Sequence, residues 1–259
     1  MSAPQLTYYA MAPEVVAFST TREGGVSSGS YASFNINPYC GDAPEAIATN
    51  RERLCCLLGI DSKHLIMPHQ THHTLTRQIT DDFLSLPEEE RQALLEGVDA
   101  LMTDVRGLCI GVSTADCIPV LLYDPVHSAV CAIHAGWRGT VARIVQHSVE
   151  AMQHSYGTQP SDLLACIGPG ISLAHFEVGD EVYEAFAEAG FAMEPISRRE
   201  AKWHIDLPHC NRLQLEELGV EAAHIHSAHI CTYADSGHYF SARRLGIRSG
   251  RIFTGILMR

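Results

Sequence analysis

Cys117 and His134 sit at the ends of two apolar runs, a spacing that brings a thiol and an imidazole within reach of one another. From Ser113 the chain reads S-T-A-D-C-I-P-V-L-L-Y-D-P, and from His127 it reads H-S-A-V-C-A-I-H-A-G-W-R-G-T. Asp124-Pro125 is a turn signal between the runs, so they read as a hairpin or as adjacent strands. Paired antiparallel, they place Cys117 and His134 at the same end of a sheet. A cysteine and a histidine converging there make either a soft-metal site or a Cys–His nucleophile pair. The Gly136–Gly139 loop opens a helix predicted over Thr140–Met152, and a helix N-terminus attracts anions.

Other residues compete for roles. His69, His72 and His73 form a dense cluster; in a strand His69 and His73 share one face and His72 takes the other. His224, His226 and His229 form a second cluster, in which His224 and His226 share a strand face, but nothing nearby converges on them. They read as structural. As a plain structural residue Cys117 would be a small buried hydrophobe, and His134 a core histidine bonded to backbone. Asp116 before Cys117 and Pro119 after it weaken that reading, because proline perturbs regular strand pairing and a bend before it turns both side chains to one pocket.

The elements that must position these residues follow from periodicity. Strands are expected at Val15–Thr20, Leu65–Met67, Thr74–Ile79, Leu108–Val112, Val120–Tyr123, Ala129–Ile133, Leu163–Ile167 and Ile252–Leu257. Helices are expected at Asp42–Leu58 with Asp42 as its cap, Pro87–Glu96, Thr140–Met152, Val178–Ala189 and Leu207–Leu218. Val141, Ile144, Val145, Val149 and Met152 give the third of these an apolar face for a sheet. Arg22–Asp42 is a long Gly/Ser/Asn-rich loop, and loops of that length usually carry function or are disordered. No linker or repeat divides the chain, so residues 1–259 read as one domain with strands and helices not strictly alternating.

A formal charge of −12 argues against a nucleic-acid binder, which needs a basic face. The arginines at 243, 244, 248 and 251 are dense enough to serve a small anion, or to form a solvated basic surface. No run approaches the roughly 20 apolar residues of a membrane span, and Met1–Gln5 carries no signal-peptide pattern. Nine scattered cysteines with no C-x-x-C pair predict reduced thiols and a cytoplasmic protein.

Taken together, the motifs resemble the YfiH-like, laccase-domain family of purine nucleoside phosphorylases, once called polyphenol oxidases. The resemblance runs over nearly the whole chain. It includes Phe18-Ser-Thr-Thr-Arg22-Glu-Gly-Gly-Val-Ser, Asn35, Gly41-Asp42, Asn50-Arg51, Gln70-Thr-His72 and Asp99-Ala-Leu. It continues through Ala115-Asp-Cys117-Ile-Pro-Val, His134-Ala-Gly-Trp-Arg-Gly139, Ile167-Gly-Pro, Phe176-Glu-Val-Gly, Asp206-Leu, Cys231-Thr232 and Tyr239-Phe-Ser-Ala-Arg243-Arg244. Ala-Asp-Cys together with His-Ala-Gly-Trp-Arg-Gly is a specific pair. Ala242 departs from the pattern, standing where the family usually has tyrosine.

The resemblance implies an α+β fold of two mixed β-sheets packed as a sandwich with helices outside. It implies phosphorolysis of adenosine, inosine and methylthioadenosine, with adenosine deamination alongside. It places the family's zinc (Zn2+) on His72, Cys117 and His134, which become the catalytic centre, with Asp116 as a candidate proton-transfer group. Arg22, Arg138 and Gly139 are candidates for phosphate, and Asn35 and Gln70 for substrate. The partners expected are purine nucleosides and phosphate, with no nucleic acid and no membrane, in a monomer or homodimer. Two rivals stand beside this reading: a metal-free hydrolase with Cys117 as nucleophile and His134 as base, and a copper polyphenol oxidase. The second needs several paired histidine motifs, and the chain offers one His-x-His, at His224 and His226.

Overall fold

The two runs flanking Asp124-Pro125 are apolar at nearly every position because one face of each is covered by a sheet and the other by helices. The structure, a computed structural model, describes residues 3–259. Met1 and Ser2, part of the stretch read above as lacking a signal-peptide pattern, lie outside the described residues. In chain order the strands are β1 (Leu6–Tyr9), β2 (Val15–Thr20), β3 (Leu65–Ile66), β4 (Thr76–Gln78), β5 (Ala100–Thr103), β6 (Cys109–Thr114) and β7 (Ile118–Asp124). They continue as β8 (Ala129–Ala135), β9 (Leu164–Ile167), β10 (Glu177–Val178), β11 (Ser197–Arg199), β12 (Trp203–Ile205), β13 (Ile225–Ser227) and β14 (Ile252–Met258). The α-helices are α1 (Pro44–Leu58), α2 (Glu88–Leu95), α3 (Trp137–Val141), α4 (Ile144–Tyr156), α5 (Asp180–Glu188), α6 (Met193–Ile196), α7 (Leu207–Glu217) and α8 (Ala242–Leu245).

One sheet has the order β1-β2-β14-β6-β3, the other β13-β9-β7-β8-β5-β4. Both are mixed: β3 runs parallel to β6, and β4–β5 and β13–β9 are parallel pairs among antiparallel neighbours. The expected α+β sandwich of two mixed sheets is therefore the fold observed. A three-stranded sheet, β10-β12-β11, is added to it; strands of two and three residues leave no periodicity to read.

Side chains of β7 and β8 alternate between two cores with the period of a strand. Leu121, Tyr123, Val130 and Ala132 pack between the sheets, against Ile110 and Val112 of β6 and Ile256 of β14. Val120, Leu122, Cys131 and Ile133 pack outward, against Ile144, Val145, Val149 and Met152 of α4. Strands buried on both faces lose the polar alternation of a half-exposed strand. Ile133→Ala at the centre of this layer would cost about 2–5 kcal/mol.

Several sequence expectations need correction. The helix expected over Thr140–Met152 is two helices, because Arg143 takes a left-handed backbone (φ 61°) and breaks it. Tertiary contacts hold that break: the Arg143 guanidinium lies 3.9 Å from the Phe191 ring centroid and 3.1 Å from Glu217. The Gly136–Gly139 loop is thus the first turn of α3 rather than a lead-in to a helix at Thr140. α1 starts at Pro44 behind Ala43, and Asp42 instead accepts from Ser27 and Asn35 (2.6 and 2.9 Å). His69, His72 and His73 lie outside any strand, and His224 lies in a 3-10 turn before β13. Pro119 does not disturb β7; it pairs in register with His134, and its carbonyl accepts from Gly168 just beyond the end of β9 (2.9 Å). The missing proline N–H falls where that ladder has run out.

Candidate metal centre

β6 belongs to one sheet and β7 to the other, so Ala115-Asp116-Cys117 is the whole of the crossover between them. Such a short step needs an unusual backbone, and Asp116 supplies it at φ 87°. A non-glycine residue there is strained and must be held. The Asp116 carboxylate accepts from Thr232 Oγ1 and from the Arg243 backbone N–H, both at 2.7 Å. Its carbonyl accepts from Ile171 (2.8 Å). Cys117 emerges one residue before β7.

β8 brings His134 to the same end, paired with Pro119 and therefore diagonal to Cys117. His134 is 3% exposed. Its Nδ1 lies 2.7 Å from Oδ1 of Asp99, which is fully buried, so Nε2 is the nitrogen left for a ligand. The same Asp99 carboxylate gathers the backbone N–H groups of Thr71, His72 and His73 at 3.2, 2.9 and 2.8 Å. That wrap holds His72 in a left-handed conformation, φ 65°, and turns its imidazole onto His134 with ring centroids 4.8 Å apart.

Potential ligand atoms of His72, Cys117 and His134 all lie within 4.8 Å of one another, the one such group among the described residues. Of the dense histidine cluster only His72 converges. His69 pairs with Glu96 at 2.8 Å, and His73 is exposed. Gly136 closes the back of the site: a Cβ there would stand 2.9 Å from His72 Cδ2 and 3.1 Å from Cys117 Sγ. Two imidazoles and a thiol suit zinc and other soft metals, and three protein ligands leave a position open.

Electrostatics fit the same use. Burial alone raises the Cys117 thiol, but the charge and hydrogen bond of His134, joined by His72, outweigh it and draw the thiol down to about 6. Burial likewise lowers His134, yet the facing Cys117 and the bonded Asp99 more than offset it and lift the ring to about 9. Asp99 itself is desolvated, but His134 and the two backbone N–H groups of His73 and His72 hold it below the ordinary carboxylate value.

These three candidate ligands open on a cavity of about 450 Å³. Gln70 lines it, and its amide pairs with both backbone groups of Ser113 at 2.9 and 2.7 Å, fixing the end of β6. Other expected residues are not among those lining it. Arg22 is bonded to the carbonyls of Ala32 and Ser236 (2.9 and 2.7 Å). Asn35 is buried and accepts from the Arg251 backbone N–H at 3.1 Å. Arg138 is exposed on α3, 4.3 Å from the Trp137 ring centroid, and Gly139 packs behind His73. Asp116 shapes the crossover from behind. Tyr39, Thr114 and, at the exposed side, Ile247 line the wall instead, without any sign in the sequence, joined by Arg248 and Arg251 of the arginine cluster that the sequence marked for a small anion. Asp99 was legible as an acid inside the run Val98–Met102 and as part of the Asp99-Ala-Leu motif; Tyr39 and Ile247 carried no sign.

The sequence matches, over residues 16–259, the family model described as multi-copper polyphenol oxidoreductase laccase. It is 51% identical over 244 residues to a purine nucleoside phosphorylase of Bacteroides thetaiotaomicron, covering 93% of this chain and 90% of that one. It is 44% identical over 245 residues to adenosine deaminase RL5 of an unknown prokaryotic organism, covering 93% of each. The crystal structure of the Bacillus licheniformis hypothetical protein YfiH superposes with a TM-score of 0.92 at 27% identity, covering 100% of this chain and 98% of that one.

Proposed function

The chain belongs to the multi-copper polyphenol oxidoreductase laccase family, and within it we propose that residues 1–259 act as one domain, a zinc-dependent purine nucleoside phosphorylase with associated adenosine deaminase activity. The observation that carries this reading is the convergence of His72, Cys117 and His134 on an open cavity. Relatives named for phosphorolysis and for deamination of purine nucleosides support the substrate class. Adenosine, inosine and methylthioadenosine are the nucleosides proposed, with phosphate as co-substrate.

Zinc held by these three residues supplies Lewis acidity beside the cavity. The chain's own residues do the rest. Asp99 keeps the His134 Nδ1 proton and so presents Nε2. Gln70 holds the Ser113 backbone, which fixes Thr114 and the crossover to Cys117. Arg248, exposed at the cavity and without a side-chain hydrogen bond among the described residues, is placed to hold phosphate. It takes the role for which Arg22 and Arg138 were the sequence candidates. In phosphorolysis a phosphate oxygen bonds to the sugar C1′ while the C1′–N9 bond breaks; its electron pair goes to the base, which takes up a proton. A proton-transfer role for Asp116 requires release of its bonds to Thr232 and Arg243.

The family description favours a second reading, copper-dependent phenol oxidation. The thiolate and imidazole set accepts copper too. One experiment separates the readings: metal-quantified protein is incubated with adenosine, with and without phosphate, and with a diphenol. Adenine and ribose 1-phosphate formed only with phosphate support phosphorolysis; inosine formed without phosphate supports deamination. Copper-dependent diphenol oxidation with no nucleoside turnover contradicts the proposal.

A further inference from the structure

Beyond His72, Cys117 and His134, the lining of the cavity has a composition that metal binding does not explain. Tyr39 and Ile247, 45% and 76% exposed, are two of the large hydrophobic side chains left in solvent, and both line this one cavity. The Tyr39 ring stacks on His69, with centroids 4.2 Å apart and planes 21° from parallel. That stack is built and not incidental. Glu96 holds His69 Nδ1 at 2.8 Å, and the His69 N–H donates to Leu95 at 3.0 Å. Asn37 Oδ1 accepts from the Tyr39 N–H at 2.6 Å, and Asn37 Nδ2 is anchored on Ser113 Oγ. An ordered aromatic surface left open to water is preorganised for a flat partner.

A second, independent observation points to a ligand. Thr114 is 1% exposed, lines the same cavity, and its hydroxyl has no hydrogen-bond partner. Leaving such a group unsatisfied costs about 1–3 kcal/mol, which a ligand hydroxyl recovers. Thr114 lies three residues before Cys117, on the metal side, whereas Ile247 and Arg248 lie on the exposed side.

Resting on the reading of the site as a purine nucleoside phosphorylase, we infer that Tyr39, stacked on His69, and Ile247 form the nucleobase clamp, with the ribose directed to Thr114. The base is the flat heteroaromatic group of the substrate, and the sugar carries the hydroxyls. This arrangement assigns base recognition to two loops, 37–40 and 246–249, rather than to the sheet ends that hold the metal ligands. Ala242, which also lines the cavity, leaves room for the bound base on the side of the second loop.

The test runs the zinc-loaded enzyme in the direction of nucleoside synthesis, where base and sugar are separate substrates. Tyr39→Ala should raise the KM for adenine roughly 5- to 150-fold, since removing a base–aromatic stack costs about 1–3 kcal/mol. The KM for ribose 1-phosphate should stay within about two-fold, because that substrate has no base to stack. Tyr39→Phe should restore the adenine KM, and zinc content should match the parent protein in both variants. An unchanged adenine KM, or equal rises for both substrates, would overturn the clamp. Were the parent protein to catalyse neither direction, the phosphorylase reading would fall while the clamp stayed testable by calorimetry: adenine binding lost in Tyr39→Ala supports it, and equal binding by both proteins refutes it.

Discussion

Asp99 and His134 meet at 2.7 Å between Oδ1 and Nδ1, and this pairing decides which nitrogen of His134 faces the cavity. The same carboxylate also draws three consecutive N–H groups of the Thr71–His73 loop onto itself. One buried acid therefore sets the tautomer of one candidate ligand and the backbone of another. Charge-assisted bonds of this kind are short and strong, and their removal is felt at both ends.

Asp99→Asn keeps one acceptor oxygen but turns an amide toward donors. Zinc affinity should fall about 10- to 100-fold, the usual cost of losing a partner behind a metal ligand. Competition with a chelating dye measures this. Unchanged affinity would mean that His134 is oriented by other contacts.

Gly136→Ala tests how closely the site is packed. Its new Cβ would lie 2.9 Å from His72 Cδ2 and 3.1 Å from Cys117 Sγ, so these two candidate ligands must shift. Metal per chain should drop well below the parent value while far-UV circular dichroism is retained. Full zinc content would place the metal elsewhere.

How far the sequence disclosed this site depends on the kind of residue. Cys117 and His134 were legible because two apolar runs ending in reactive side chains predict strands that converge, and β7 and β8 do pair in that register. The two-sheet sandwich was implied by the family motifs and is the fold observed. The break at Arg143 was not legible, since the apolar spacing of Val141–Met152 continues through it and tertiary contacts with Phe191, Glu217 and the Ala189 carbonyl hold it. His72 could not be chosen from its neighbours by face, because the loop is shaped by Asp99 from 27 residues away in sequence. Tyr39 sits in a loop, where no periodicity marks it, whereas Arg248 was legible as one of the dense arginines at 243, 244, 248 and 251.

Metal binding should follow pH with a change of slope. The Cys117 thiol is drawn down to about 6 and His134 up to about 9, so between those values the metal-free site pairs a thiolate with an imidazolium. Metal uptake there releases one proton, from His134; below about 6 it must displace a second, from Cys117. The logarithm of the zinc affinity should rise by about one per pH unit from about 6 to about 9 and more steeply below about 6. A flat profile between about 6 and about 9 would contradict this pairing.

Arg248→Ala should raise the KM for phosphate roughly ten-fold or more, since a bond to a charged group contributes about 1.5–3 kcal/mol, and should leave zinc content at the parent level. If Arg138→Ala raises that KM and Arg248→Ala does not, phosphate binds on the α3 side, as the sequence suggested.

The central claim is that His72, Cys117 and His134 hold one zinc ion on which nucleoside turnover depends. Metal analysis of Cys117→Ala and His73→Ala beside the parent protein tests it most directly. About one zinc per parent chain is expected, with nitrogen ligands at about 2.0–2.1 Å and sulfur at about 2.3 Å by X-ray absorption. Cys117→Ala should lose both zinc and turnover, and His73→Ala should retain both. Zinc retained in Cys117→Ala but lost in His73→Ala would contradict it.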